Sequence, residues 1–249
     1  MLSAVGGFSN SVLMLSPHSA QIRNMFSAIA YRYDLLNHLL SLNIDKLWRR
    51  QAVAMLESVL SKSDGLCLDL CCGTGDLALT MSQRGVAQVV GCDFSHPMLQ
   101  LSRQKISSRN QSARIRIIEA DGLRLPFRSQ TFDAVAIAFG LRNLESVKEG
   151  LIEMRRVLKP GGKLMVLEFS KPTNPLFNRL FQFYFFRVLP RIGNLLSKHE
   201  QAYTYLPRSV SQFPDQTELV KTLTHCGFEK VSYVNLSGGI AAIHWGEKG

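Results

Sequence analysis

Residues 68–79, LDLCCGTGDLAL, restrict this chain to a narrow set of folds. Leu66, Leu68 and Leu70 supply a short apolar strand, Gly73 and Gly75 permit a tight turn under a ligand, and Leu77 and Leu79 open a helical run. A strand that passes through a glycine turn into a helix N-terminus normally attracts phosphate, because free N–H groups and the helix dipole point at it. Here two carboxylates, Asp69 and Asp76, flank the turn and disfavour a second anion. A ligand with a cationic centre and a neutral ribose fits better, and S-adenosylmethionine, a sulfonium, is the common cofactor of that kind.

Gly73, Gly75 and Ala78 also satisfy the G-x-G-x-x-G/A dinucleotide fingerprint, so the turn alone leaves both cofactor classes open. Asp93 ends the apolar run Val89-Val90-Gly91-Cys92, where an acid about 20 residues past the turn holds ribose hydroxyls in either class. The third strand separates them. Ile115-Arg116-Ile117-Ile118 runs into Glu119-Ala120-Asp121-Gly122, a polar pair at the place expected for an adenine ring. None of the six tyrosines begins a Tyr-x-x-x-Lys acid–base pair, so one common nicotinamide chemistry lacks its residues. The structural alternative has Asp93 capping the next helix and Asp121 in a solvated loop.

With 249 residues and 46% apolar content, the chain suffices for one well-buried α/β domain. Strand-like runs at 66–70, 89–92, 115–118, 134–139 and 163–169 alternate with helical patterns such as 147–158, which predicts a parallel sheet covered by helices on both faces. Lys159-Pro160-Gly161-Gly162 is a turn signal before the fifth strand. Runs at 229–236 and 239–245, joined through Ser237-Gly238, predict an antiparallel C-terminal hairpin. The expected fold is therefore a seven-stranded, mostly parallel sheet. Residues 1–20 are expected to be a mobile tail and 21–249 a single domain, within which 21–60 form a helical lid and 172–210 an aromatic insertion.

Five cysteines without a framework argue against disulfides and for a reducing compartment, and no zinc spacing is present; Cys67 and Cys71 are expected as core fillers, and Cys72 as packing beside the cofactor. The N-terminus has no Lys or Arg before Arg23, so it lacks the charged start of a targeting signal, and no apolar run reaches transmembrane length. A net charge of +10 implies an anionic partner, either nucleic acid or a membrane surface. The chain lacks the Asn/Asp-Pro-Pro-aromatic and Pro-Cys signatures of nucleic-acid methylation. Instead Phe181, Phe183, Tyr184, Phe185 and Phe186 crowd together between Arg179, Arg187 and Arg191, a composition suited to a long apolar ligand or a bilayer interface. A helix packed on the sheet, with its arginines in water, is the plainer alternative.

Several stretches carry a resemblance: 25–50 (MFSAIAYRYDLLNHLLSLNIDKLWRR), LDLCCGTGDLAL, GCDFSHPML at 91–99, FDAVAIAFGLRNL at 132–144, LKPGGKLMVLEFSKP at 158–172 and GGIAAIHWG at 238–246. From about residue 22 onward the chain resembles the UbiE/MenG family, C-methyltransferases of menaquinone and ubiquinone biosynthesis with the class I S-adenosylmethionine-dependent methyltransferase fold. The resemblance implies cofactor contacts at Asp69, Gly73, Thr74, Gly75, Asp93, Asp121 and Gly122. Two positions depart from the family: Cys71-Cys72 stands where a small residue and glycine are common, and Ala138 replaces a serine before FGLRN.

The implied substrate is a lipophilic prenylated quinol, most simply demethylmenaquinol. The ubiquinone-pathway 2-polyprenyl-6-methoxybenzoquinol is the alternative. A quinone ring is electron-poor, so the reduced quinol is the nucleophile, and loss of a hydroxyl proton activates its ring carbon. Arg142 in FGLRN is the first candidate to stabilise the oxyanion, with a structural ion pair as its plain alternative. Tyr203 and His199 are secondary catalytic candidates, and Tyr33 and Asn143 are expected to touch substrate. Phe26, Ile29, Tyr33, Leu36 and Leu40 share one helical face, which predicts a lid over cofactor and ring. Contact with an anionic membrane surface from the cytoplasmic side, no nucleic-acid partner, and a homodimer as an open assembly complete these expectations. A methyltransferase for nucleic acid or another small molecule, and a silent cofactor-binding protein, are the competing classes.

Overall fold

The computed structural model describes residues 16–41, 43–85, 87–188 and 200–249, without the side chains of residues 18, 32, 35–37, 39–40 and 200–204. Helix α1 (Pro17–Leu40) opens where the Ser16 hydroxyl accepts the Ser19 N–H at 3.2 Å and proline takes the first position, where a missing N–H costs nothing. Residues 17–20, expected in the tail, are thus helical. Next come α2 (Ile44–Ala54), α3 (Glu57–Leu60), β1 (Leu66–Leu70), α4 (Asp76–Arg84), β2 (Gln88–Asp93), α5 (His96–Ser108), β3 (Ile115–Glu119) and β4 (Phe132–Ala138). The second half contributes α6 (Val147–Val157), β5 (Leu158–Phe169), α7 (Pro175–Phe183) with a wide helical turn at Tyr184–Val188, α8 (Glu200–Gln212), α9 (Gln216–His225), β6 (Phe228–Leu236) and β7 (Ala241–Lys248).

All seven strands join one sheet in the order β3-β2-β1-β4-β5-β7-β6. The first five are parallel, while β7 runs antiparallel to both β5 and β6. Side-chain alternation splits the core. Cys67, Ala134, Ala136 and Met165 face α2 and α4 through Trp48, Val53 and Met81, whereas Leu68, Val135, Ile137 and Val166 face α6 and α9 through Leu151, Met154 and Leu219. With both faces covered, the central strands read as continuous apolar runs. A third cluster, built on Ile29 of α1, Phe185 and Val210 of α8, lies apart from these two.

The expected turn at Lys159–Gly162 takes another form. Phe132 pairs with Leu158 and Ala134 with Lys163, so the four residues loop out inside β5. Pro160 has no N–H for a ladder and Gly161 sits at φ +72°, which explains the interruption. The break between β1 and α4 follows the same logic. Gly75 stands at φ +88°, and a Cβ there would meet the Ser102 Oγ at 2.5 Å. The parallel strands all end on one side, and their C-terminal ends form the floor of the site.

Candidate active site

At the end of β1 the chain turns through Cys71 (φ +54°) and Gly73 (φ +53°). The Gly73 N–H donates to Asp93 Oδ2 at 2.9 Å, and the Ser95 N–H donates to Oδ1 at 2.9 Å. The carboxylate that ends β2 therefore braces the glycine turn. Burial pushes the Asp93 carboxyl up, against the pull of those N–H donors. A cavity opens in front, lined by Gly73, Asp93, Asp121, Gly122, Tyr33 and Asn143 among others. A Cβ on Gly73 would meet nothing within 4 Å, so the backbone there faces open space.

The charge of this lining discriminates between ligands. Asp93, Asp121 and Glu145 contribute three carboxylates, and among the described lining residues there is no Lys, Arg or His. A pyrophosphate would be repelled, whereas a sulfonium nucleoside with an ammonium group fits. Those carboxylates and the bare Gly73 backbone are the groups suited to hold S-adenosylmethionine. Asp69, Thr74 and Gly75 lie outside the lining. Asp69 Oδ2 accepts the Ala78 N–H at 2.9 Å, tying β1 to α4, and burial pushes its carboxyl well up. The Thr74 hydroxyl donates to Asp34 Oδ1 at 2.6 Å and accepts from Lys105 at 3.0 Å. These residues shape the turn from behind. Of the two departures from the family, Ala138 and Cys71 line the cavity. Cys72 is buried behind it, where Gly91 leaves room for its Sγ: a Cβ at 91 would stand 3.1 Å from that sulfur.

A second cavity of about 250 Å³ adjoins the first, and Phe26, Tyr33 and Phe139 line both. Its wall is largely apolar, with Met25, Ile29, Trp48, Phe169, Phe181 and Phe185 around it and the polar Ser41, Asp45 and Arg49 among them, the third core cluster forming much of one side. Arg142 reaches this cavity from a short 3-10 turn at Leu141–Asn143 just past β4. The side chain is 5% exposed, with Nη1 donating to Glu168 Oε1 at 2.7 Å and to the Phe139 carbonyl at 2.6 Å, and the guanidinium lies 5.4 Å from the Phe169 ring centroid. Its Nε–H is buried with no acceptor. The ion-pair alternative is therefore realised, and a strong donor is still left over. Glu168 is 1% exposed; burial pushes its carboxyl up even with Arg142 beside it.

Local sequence does not single out Tyr205, yet this residue lines the same cavity and donates from Oη to Asn143 Oδ1 at 3.0 Å. Burial raises its phenol, which keeps the hydroxyl protonated. His199 lies outside the described residues, as do the side chains of Tyr203, Leu36 and Leu40. Phe26, Ile29 and Tyr33 do face inward from α1, Phe26 and Tyr33 meeting edge to face at 5.8 Å.

Helix α1 is pinned over both cavities by polar contacts. Ser19 donates to Glu145 at 3.2 Å, the hydroxyls of Ser27 and Ser95 lie 3.0 Å apart, and Asp34 pairs with Lys105 of α5. Beneath its C-terminal end, His38 Nδ1 lies 2.8 Å from Asp45, Arg49 pairs with Asp45, and Lys105 reaches Asp76 at 2.8 Å. Burial alone would raise Asp76, but Arg49 and Lys105 outweigh it and hold the carboxyl below its ordinary range.

Comparison with known proteins agrees with this geometry. The model of the ubiE/COQ5 methyltransferase family matches residues 14–248. A ubiquinone/menaquinone biosynthesis C-methyltransferase from Geobacter sp. (strain M21) is 45% identical over 94% of this chain and 99% of its own. A demethylmenaquinone methyltransferase from Thermus thermophilus is 48% identical over 90% of this chain and all of its own. Among solved structures, an S-adenosylmethionine-dependent methyltransferase from Thermotoga maritima superposes with a TM-score of 0.64 at 18% identity, covering 92% of this chain and 100% of that one. At that identity the likeness speaks for the fold alone.

Proposed function

The chain belongs to the ubiE/COQ5 methyltransferase family and is an S-adenosylmethionine-dependent C-methyltransferase of a quinone-type ring; on that premise we propose that it methylates a prenylated quinol, demethylmenaquinol, drawn from an anionic membrane surface. The observation that carries the reading is the junction of the two cavities: a carboxylate-lined, cation-free chamber and an apolar one share a wall of Phe26, Tyr33 and Phe139. When bound, S-adenosylmethionine supplies an electrophilic methyl group.

The chain's own residues then have distinct tasks. Gly73, Asp93, Asp121 and Gly122 bind and orient the nucleoside, with Asp69, Thr74 and Gly75 holding the turn in shape. Tyr33, Phe26 and Phe139 position the ring at the junction and exclude water. Arg142, fixed by Glu168 at the wall of the ring chamber, sets its positive charge beside the oxygen that gains charge when the quinol hydroxyl ionises, which strengthens the adjacent ring carbon as a nucleophile. Asn143, oriented by Tyr205, sits between the two chambers.

The prenyl tail leaves by the mouth of the apolar cavity, between Ile44 of α2 and the turn at Ser237–Gly239. Beside this mouth, α7 exposes Leu176, Leu180 and Phe183, with Phe177 against Gly238 and the cations Arg179 and Arg187 nearby. Such an apolar face rimmed by arginine suits an anionic bilayer. No helix among the described residues is long and apolar enough to cross a membrane.

The direct test incubates the protein with methyl-labelled S-adenosylmethionine and a chemically reduced demethylated naphthoquinol. Parallel incubations contain the polyprenyl methoxybenzoquinol and RNA. Label is expected in the naphthoquinol; label in RNA and in neither quinol would overturn the reading, and label in the benzoquinol alone would reassign the pathway.

A further inference from the structure

Methylation of a quinol ring releases one proton per turnover. The ring carbon forms its bond to the methyl group, the methyl–sulfur electron pair stays on sulfur, and a hydrogen on that carbon departs as H⁺ when aromaticity returns. The proton starts in a chamber walled largely by Phe26, Trp48, Phe139, Phe169 and Phe185, and the one carboxylate among its described lining residues, Asp45, is already engaged by Ser41 and Arg49.

A third hollow, a cleft of about 610 Å³, adjoins the ring chamber. Among the described residues, the two share Met25, Arg142 and Tyr205. Beyond them the cleft is lined in part by Gln21, Arg208, Ser209 and Gln212, three of them exposed. Arg142 and Tyr205 are therefore the polar residues common to a dry reaction chamber and a wet exit. Tyr205 can both accept and donate, and its hydroxyl already bridges to Asn143 at the cofactor side. Arg142 has its guanidinium held against Glu168 and a buried Nε–H without an acceptor.

We infer that this cleft is the proton exit of the enzyme, with Tyr205 as the positioning and relay group at its inner end and Arg142 as the fixed donor beside it. The inference rests on the ring-chamber reading above.

The test uses 2-naphthol, a photoacid of the same two-ring phenol class, and reads proton transfer without turnover. Bound to the wild-type protein with S-adenosylhomocysteine present, it is expected to emit as naphtholate, because the excited proton finds a path out. Val147→Phe narrows the cleft from α6 without touching the ring chamber, and bound naphthol is then expected to emit less as naphtholate than in the wild type. Tyr205→Phe, which removes one oxygen atom, loses that emission and lowers kcat about a hundredfold, the lower range for a positioned proton-transfer group. If Val147→Phe does not fold, as judged by its thermal transition, Tyr205→Phe decides. Undiminished naphtholate emission in the folded variants, or none in the wild type, overturns the exit while leaving the ring chamber intact. Failure of 2-naphthol to bind at all overturns both.

Discussion

Asp69 is a carboxylate kept 1% exposed for the sake of one backbone N–H. Burial raises its folded-state value well above the ordinary 3.8, although the Ala78 N–H and Arg49 pull the other way. Above pH 4 the unfolded chain has given up this proton and the folded chain retains it, so stability falls as pH rises toward the folded value. Asp69→Asn, which keeps the shape and an acceptor oxygen, is expected to gain stability relative to wild type as pH climbs from 4 to 8 in thermal melts; a constant difference across that range would refute it. Residues of this kind divide sharply in how far the sequence exposes them. Gly73, Asp93 and Asp121 were legible because a turn needs glycine and a strand end needs an acid at set spacings. Tyr205 was not: no local pattern marks it, and its place in the ring chamber depends on how α8 is turned against its neighbours. Only the packing of α8 against Phe185 and Ile29 decides which face looks inward. Glu168 was equally hidden, since its part depends on meeting Arg142 from another strand.

At the scale of elements, the helix–strand alternation and the spacing of Phe26, Ile29 and Tyr33 made α1 and the sheet readable in advance. What holds α1 down was not readable, because Asp34, Asp45, Asp76 and Lys105 are far apart in the chain and local patterns give charged residues no partners. Among the described residues, the two core clusters that flank the sheet contain none before Trp48, and α1 packs instead on α5, α2 and α8. Deleting residues 1–40 is accordingly expected to leave cooperative unfolding and circular dichroism of the sheet in place. The same deletion removes Ser19, Phe26 and Tyr33 from the cofactor chamber, and calorimetry is expected to show S-adenosylmethionine bound at least about tenfold more weakly, ~1.4 kcal/mol. Unchanged affinity would mean that α1 is a brace and no lid.

For the whole molecule, the net charge of +10 and the exposed face of α7 act together: cations bring the protein to an anionic surface and the apolar side chains hold it there. Leu180 and Phe183, each 63% exposed, can be altered without disturbing the core. The double variant Leu180→Glu/Phe183→Glu is expected to stop floating with phosphatidylglycerol vesicles while binding S-adenosylmethionine as before; equal flotation would place the membrane contact elsewhere. The sheet order has a consequence of a different kind, for how the molecule is made. Strand β7 is synthesised after β6 yet lies between β5 and β6, and it is the only neighbour β6 has. Until β7 docks, the edge of β5 stays bare and β6 has no place in the sheet to pair. The folding chain must therefore keep two strands apart until a third is delivered between them, and over that interval it is open to chaperones and to aggregation alike.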